Sequence, residues 1–222
     1  MEHAVAVVRP LSVARWAALG GFVYVVLFVI GTILLFSGAP SGDSAPAKVV
    51  QWYSDGGHRN QINGGWILIG LSILFLLWFI GALRLAVSAV DGEGILTGVV
   101  GLGGGIYAAL ALASVAVSDG IRTMSDDTYQ HRVFPELIHA ADDMTWVMHA
   151  TGAAALGVMI IATSLAFMRG AVWPNWAGWL GIVVGILSLA SIVFFPQFLF
   201  LLWILVVSIW MFRRPQSPSG IA

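Results

Sequence analysis

Acidic residues and histidines are concentrated in one stretch of the chain, between residues 119 and 149. Carboxylates and imidazoles on neighbouring helical turns can bind a divalent cation such as zinc, manganese or iron, and they can also bind and pass protons. The chain contains no cysteine, which excludes thiolate metal sites, iron–sulfur clusters and cysteine nucleophiles. The stretch holds Asp119, Arg122, Asp126, Asp127, His131, Arg132, Glu136, His139, Asp142, Asp143 and His149.

Helical spacing predicts that part of this stretch lies on one side of a helix. Pro135 suits the first turn, and polar side chains then recur at i, i+3, i+7 and i+10, with two more on the neighbouring edge. Further along, the same stripe becomes Ala150, Ala153 and Gly157, small residues that allow a second helix to approach closely. The stripe is therefore predicted to face the bundle, with these ligand-binding residues: Glu136, His139, Asp142, Asp143, Trp146 and His149.

His149 is the strongest single candidate, because it lies one to two turns inside the predicted membrane boundary, where titratable side chains usually face an interior cavity. We expect it to be the innermost residue of an outward-facing polar pocket, with residues 119–134 across the mouth. The pocket would bind a small molecule or a proton. Alternatively, His149, His139 and Asp143 would hold a divalent metal for an intramembrane hydrolase. The structural alternative is a hydrated cap, because Asp142 and Asp143 near a helix start interact favourably with its dipole.

The elements that position these residues are transmembrane helices. Of the 222 residues, 59% are hydrophobic and 9% are charged, and the mean hydropathy is +0.92. Uncharged runs of about 18 or more apolar residues recur, each long enough to cross a bilayer. The sequence therefore predicts an all-α polytopic transmembrane bundle forming a single integral membrane domain. Its six spans lie near Ala17–Ser37, Gly64–Leu83, Ile95–Ser118, Met144–Met168, Trp176–Phe195 and Phe198–Phe212, with outer loops at residues 38–63 and 119–143.

Basic residues predict the orientation of the spans, since loops rich in Lys and Arg stay in the cytoplasm. With both termini cytoplasmic, the inner side holds Arg9, Arg15, Arg84, Arg169, Arg213 and Arg214. The outer side then holds Lys48, Arg59, Arg122 and Arg132. This bias predicts a multi-pass membrane protein with both termini in the cytoplasm. A short helix, Ala45–Tyr53, is predicted in the first outer loop, ended by Asp55-Gly56-Gly57.

The third predicted span is rich in glycine. Gly94/Gly98 and Gly101/Gly105 form small-xxx-small pairs, which indicate a face that packs closely against another helix. The alternative is a flexible or broken helix that lines a transport path. No duplicated half is apparent in the sequence, which argues against an inverted-repeat transporter.

Several classes of ligand are excluded or disfavoured. A haem would need a second axial ligand at membrane depth opposite His149, and no histidine is placed there. A retinal Schiff base would need a lysine within a span, and the single lysine, Lys48, falls in a loop. A net charge of −1 argues against a nucleic-acid surface. The expected partners are the lipid bilayer, a possible small ligand and, if the chain is an accessory subunit, other membrane subunits.

The chain also resembles an uncharacterised family of small bacterial six-span membrane proteins of unknown function. The resemblance rests on the first span with its outer loop helix, on Arg84-Leu85 closing the second span, on His149 in the fourth, and on residues 174–181 (Pro-Asn-Trp-Ala-Gly-Trp-Leu-Gly) opening the fifth. It implies the six-span plan in the bacterial inner (plasma) membrane, and it implies no activity.

Overall fold

The computed structural model describes residues 10–41, 44–123, 130, 132–193 and 197–213. Throughout these residues the regular structure is helical, and none of them forms a strand. The elements are α1 (Pro10–Phe36), α2 (Pro46–Ser54), α3 (Gly56–Asp91), α4 (Ile95–Thr123), α5 (Pro135–Arg169), α6 (Asn175–Leu189), a 3₁₀ helix (Ala190–Ile192) and α7 (Gln197–Arg213).

Four of these helices, α1, α3, α4 and α5, are long and apolar enough to cross a membrane. The apolar helices α6 and α7 are shorter, with 15 and 17 residues. This composition supports a helical membrane protein. The fifth and sixth predicted spans correspond to α6 and α7, while residues 194–196 of the predicted turn between them lie outside the described residues.

The long helices pack in an order that follows the chain. α1 packs against α3, α3 against α4, α4 against α5, and α5 against α6, while α7 returns to pack against α1. The described helices therefore surround a common interior, which is filled by large side chains such as Tyr24, Tyr107, Phe79 and Phe200.

The close contact of α4 with α5 is made at Gly103, which is not one of the glycines predicted to pack. A Cβ at Gly103 in α4 would lie 2.7 Å from the Ala155 carbonyl oxygen in α5, so only glycine permits this approach. A Cβ at Gly98 or Gly105 would have no atom within 4 Å. The predicted packing face through Gly98 and Gly105 is therefore wrong. The segment holds so many glycines that they lie on several faces of α4. Which face packs depends on where the neighbouring helix lies, and the sequence of α4 does not show this.

The start of α3 also differs from the sequence prediction. Asp55 was expected to end the short loop helix, and α2 does end at Ser54. Yet the Asp55 carboxylate also accepts hydrogen bonds from the backbone N–H groups of Gly57 (2.8 Å) and His58 (3.1 Å), so it caps α3. The helix consequently begins at Gly56, about two turns before the predicted span at Gly64.

The two ends of the bundle carry different sets of basic residues. At the end where α2 lies, here called the α2 end, Gln61 of α3 donates to the carbonyl of Leu34 near the end of α1. At the opposite end, Arg15 of α1 donates to the carbonyl of Phe212 in α7. The basic residues predicted to share a side do so here: Lys48, Arg59 and Arg132 at the α2 end, and Arg15, Arg84, Arg169 and Arg213 at the opposite end.

Candidate functional site

His149 lies in the interior of the bundle, in the half of α5 nearer the α2 end. Its side chain is about nine-tenths buried, with a relative exposure of 9%. Its Nδ1 lies 3.2 Å from the backbone carbonyl oxygen of Thr145. Because a carbonyl oxygen can only accept, Nδ1 carries the hydrogen in this contact, and in the neutral form of the ring Nε2 is then a hydrogen-bond acceptor. No other residue in the described part of the chain forms a hydrogen bond with this ring.

One aromatic ring also lies near the His149 side chain. The ring of Phe28, from α1, lies with its centroid 6.4 Å from the imidazole centroid. Thr145, one turn before His149, places its hydroxyl against the hydroxyl of Ser118 in α4. The turn of α5 that supplies the carbonyl partner of His149 is thus itself tied to α4. Nε2 has no hydrogen-bond partner among the described residues and remains available to a ligand.

The other predicted site residues do not surround His149. Glu136, Asp142 and Asp143 are exposed, His139 is half-buried, and Trp146 is 48% exposed. The buried positions in this part of α5 are instead Ile138 and Ala141. Only Asp142 shares an edge of α5 with His149, and it lies seven residues away, about 10 Å along the helix axis. A ligand-binding role for these five residues remains a prediction.

The prediction that the α5 stripe faces the bundle interior is therefore correct for its apolar half and wrong for its polar half. Ala150, Ala153 and Gly157 are buried as expected, and a Cβ at Gly157 would lie 2.5 Å from the Gly185 carbonyl oxygen of α6. The polar half of the stripe, which was expected to continue on this buried face, is largely solvent-exposed. The i, i+3, i+7 spacing correctly identifies residues that share a face but does not determine which way that face points.

The metal alternative receives no support from the described residues, among which no group of three or more His, Asp or Glu side chains could hold a metal ion. Asp126, Asp127 and His131 lie outside the described residues, as does most of the loop predicted to cross the mouth of the pocket. A metal at His149, His139 and Asp143 remains a prediction.

Sequence reasoning missed a polar contact deeper in the bundle. The hydroxyl oxygens of Tyr24 in α1 and Tyr107 in α4 lie 2.7 Å apart, and both side chains are buried, at 0% and 1% exposure. The Tyr24 ring also packs against Phe28, with 5.5 Å between centroids, so it is one aromatic ring removed from His149. The two tyrosines therefore form a buried hydrogen bond between α1 and α4.

A short repeated motif could have revealed these tyrosines. Residues 20–24 read Gly-Gly-Phe-Val-Tyr and residues 103–107 read Gly-Gly-Gly-Ile-Tyr, so each tyrosine follows a glycine pair with the pattern Gly-Gly-x-x-Tyr. The first glycine of each motif makes the same contact. A Cβ at Gly20 would clash with the Phe75 carbonyl and lie 3.2 Å from Phe79 N, and a Cβ at Gly103 would meet the Ala155 carbonyl and lie 3.2 Å from Met159 N.

The two motifs therefore occupy equivalent places in two similar helix pairs, α1 with α3 and α4 with α5. The second helices of the pairs are also alike in length, with 36 residues in α3 and 35 in α5. This repeat runs in the same direction in both pairs and is not inverted. Tyr24 and Tyr107 are its equivalent residues. The prediction that the chain has no inverted duplicated half is not affected by this short motif.

No family model matches the chain, and neither a curated protein nor a solved structure shows significant similarity to it. The resemblance to an uncharacterised bacterial family is therefore a prediction that these comparisons leave open. The function has to be inferred from His149 and its surroundings.

Proposed function

We propose that this chain is a multi-pass protein of the bacterial inner membrane that binds a proton or a small molecule at His149, as a binding or transport-type protein. In this proposal six helices cross the bilayer, both termini are cytoplasmic, and the α2 end faces outward. A ligand reaches His149 from the α2 end. Ligand-binding roles for the residues nearer that end, including Asp142, belong to the same proposal.

The observation that carries the proposal is a nine-tenths buried histidine whose Nε2 has no hydrogen-bond partner among the described residues. A structural histidine in an apolar interior normally has both ring nitrogens satisfied, since an unfilled polar atom is costly there. Here the backbone carbonyl of Thr145 satisfies Nδ1 alone. The complementary ligand is therefore a hydrogen-bond donor, which is a proton in the simplest case or a small molecule with an O–H or N–H group.

The position of His149 supports access from one side only. It lies on the fourth turn of α5, counted from Pro135 at the α2 end, and acidic residues on the preceding turns are exposed there. Carboxylates near the mouth of a site raise the local concentration of cations, including protons. A proton or cationic donor approaching from the α2 end would thus meet Asp142 and Asp143 before His149.

Protonation of His149 is the direct test. The full chain, labelled with ¹⁵N-histidine and reconstituted in lipid vesicles, is titrated from about pH 9 to about pH 5 while the imidazole nitrogen resonances are recorded. We expect one non-protonated Nε2 resonance, absent in His149→Gln, to shift or broaden as the pH falls. His139→Gln is the matched control, because this half-buried histidine lies on the same helix and its loss should leave that resonance intact.

Small-molecule binding is tested on the same preparation by native mass spectrometry. A bound molecule that is lost in His149→Gln and retained in His139→Gln would support the small-molecule form of the proposal. The proposal is overturned if the His149 resonance neither titrates nor changes between preparations and no bound molecule depends on His149. In that case the residue is a structural histidine of the bundle.

The topology is tested separately. A reporter that is active only in the cytoplasm should be active when it is fused after Ala222. In a separate fusion, the same reporter inserted between Ser41 and Ser44 should be inactive. Activity of this loop fusion would show that the orientation is the reverse of the one proposed. An inactive carboxyl-terminal fusion would mean that α6 and α7 do not both cross.

A further inference from the structure

The interior polar groups are arranged in layers along the bundle. His149 and Phe28 form the layer nearer the α2 end. Toward the opposite end of the bundle, the next turn of α1 carries Tyr24. In the same direction, α5 reaches Gly152 three residues after His149, and a Cβ at Gly152 would lie 3.2 Å from Cδ2 of the Tyr107 ring. The tyrosine layer therefore lies directly below the His149 layer on the way to the opposite end. Any route from His149 through the bundle would meet the two tyrosines next.

The tyrosines join helices that are not next to each other in the packing order. α1 and α4 both pack against α3, and their tyrosine side chains reach across the interior to meet at 2.7 Å. The ring of Phe200 from α7 closes against Tyr107, with 5.9 Å between centroids. Side chains from α1, α4 and α7 thus meet at this level of the interior.

The bond between the tyrosines is a single neutral hydrogen bond. The pair has two hydroxyl hydrogens, but only one can lie between the two oxygens. Neither tyrosine has any other hydrogen bond within the described ranges, so the second hydroxyl hydrogen has no acceptor there. Separating the tyrosines would therefore break one bond and would leave hydroxyls able to bind water or a passing polar molecule.

Each tyrosine also follows a helical turn that can bend. Glycine gives the backbone more freedom than any other residue, and glycine pairs are common at helix bends. Gly20-Gly21 precede Tyr24, and Gly103-Gly104 precede Tyr107. In α1 the hydroxyl of Ser208 reaches this turn from α7, donating to the Ala18 carbonyl (2.6 Å) and accepting from Phe22 N–H (3.0 Å). The helical hydrogen bonding of this turn is therefore shared with another helix.

From these observations we infer that the Tyr24–Tyr107 pair is the closed barrier of a passage through the bundle, situated beneath His149, with the two glycine pairs as its hinges. The inference rests on the proposed function, because it assigns the pair to the control of what His149 binds. Opening separates the two hydroxyls by bending α1 or α4 at its glycine pair. The cargo is the proton or small hydrogen-bond donor bound at His149.

The absence of cysteine makes the barrier directly testable by thiol labelling. Val100 and Ser114 both lie seven residues from Tyr107 on α4, the first toward the opposite end and the second toward the α2 end, and both are buried. Single cysteines at Val100 or Ser114 are introduced into the full chain in right-side-out vesicles. A cationic, membrane-impermeant methanethiosulfonate reagent is then added from outside.

We expect Tyr24→Phe and Tyr107→Phe each to increase the labelling rate of Val100→Cys by roughly three- to tenfold, as the loss of one hydrogen bond permits. The rate at Ser114→Cys, above the barrier, should change less. Ser114→Ala combined with Val100→Cys is the matched control, because the Ser114 hydroxyl is buried on the same helix but bonds to its own Ala111 carbonyl at 2.7 Å. This control should leave Val100→Cys labelling unchanged.

The inference is overturned if neither phenylalanine variant changes Val100→Cys labelling while both variants remain folded by thermal unfolding. It is also overturned if Ser114→Ala raises the rate equally, since general loosening of α4 would then explain the result. The histidine titration reads out the proposed function independently. If the phenylalanine variants speed Val100→Cys labelling but the His149 resonance does not titrate, the barrier is supported and the His149 site is rejected. If the His149 resonance titrates but the labelling rate does not change, only the barrier is rejected.

Discussion

Gly103 and Ala155 bring α4 and α5 so close together that a Cβ on the glycine would lie 2.7 Å from the alanine carbonyl oxygen. This distance is too short for any side chain, and the atom it meets is rigid backbone. The equivalent contact joins Gly20 of α1 to the Phe75 carbonyl of α3. The two long helix pairs therefore depend on glycines at matching positions for their packing.

The first prediction is that Gly103→Ala lowers the free energy of unfolding by about 1–3 kcal/mol, because the added methyl group must push α4 away from α5. Gly105→Ala is the matched control, since a Cβ there would have no atom within 4 Å. That variant should be neutral or stabilising by up to about 1 kcal/mol, because alanine favours helix more than glycine does. Thermal or denaturant unfolding in detergent measures both. Equal destabilisation would mean that helix flexibility, and not packing at Gly103, determines the effect.

This contrast shows what the sequence could and could not predict about the fold. The apolar runs predicted α1, α3, α4 and α5, because length and hydropathy are sufficient to identify a transmembrane helix. The helix start at Pro135 was also predicted, since proline at the first turn has a local cause. The packing face of α4 was not, because Gly98, Gly101, Gly103 and Gly105 offer alternatives that only the position of α5 distinguishes.

The second prediction concerns the cap of α3. Hydrogen bonds from the backbone N–H groups of His58 and Gly57 lower the pKa of Asp55 below its ordinary value of 3.8. A lowered carboxyl pKa means that the ionised cap stabilises the fold above the ordinary value, and that this stabilisation is lost as the pH falls through the lower folded-state pKa. We expect the melting temperature of the wild type to exceed that of Asp55→Ala at about pH 6, and the difference to shrink below about pH 4.

The Asp55→Asn variant distinguishes the effect of the negative charge from the effect of the capping hydrogen bonds. Asparagine retains a side-chain oxygen that can accept from the same N–H groups, but it does not titrate. The variant should therefore lie between the wild type and Asp55→Ala at about pH 6 and should lack the additional loss of stability at acidic pH. A wild-type melting curve that shows the same acid dependence as Asp55→Asn would contradict an ionised cap at Asp55.

The third prediction concerns the hydrogen bonds between Ser208 and α1. Because the Ser208 hydroxyl donates to Ala18 O and accepts from Phe22 N, Ser208→Ala removes two interhelical contacts. The α1 groups can then bond to each other, so the expected loss is modest, about 0.5–1.5 kcal/mol in the free energy of unfolding. Thr163→Val is the control, since its buried hydroxyl donates to Met159 O in its own helix. An effect no larger than that of the control would mean that the Ser208 hydrogen bonds do not help to hold α1 against α7.

The candidate site illustrates the limit of sequence reasoning about function. His149 was correctly predicted to be buried, because a titratable residue placed well inside an apolar span has few stable environments outside the bundle interior. The acidic residues and His139 were grouped with it by helical spacing, although they lie at the exposed start of the same helix. Tyr24 and Tyr107 are 83 positions apart, and no local pattern shows that their hydroxyls meet. Their shared Gly-Gly-x-x-Tyr motif becomes meaningful only once α1 and α4 are seen as equivalent helices.

The last prediction is that the hydroxyls of Ser118 and Thr145 form one coupled contact between α4 and α5. Thr145→Val removes the hydroxyl but keeps both the side-chain shape and the backbone carbonyl that accepts from His149. We expect a loss of about 0.5–1.5 kcal/mol in the free energy of unfolding for Thr145→Val and for Ser118→Ala. In a double-mutant cycle the two losses should not add, and the coupling should be at least about 0.5 kcal/mol, because either substitution breaks the hydrogen bond that the two hydroxyls share. The Nδ1 resonance of His149 should be unchanged in Thr145→Val. Additive losses would show that the two hydroxyls act separately, and a shifted Nδ1 resonance would show that this contact also positions the carbonyl that holds His149.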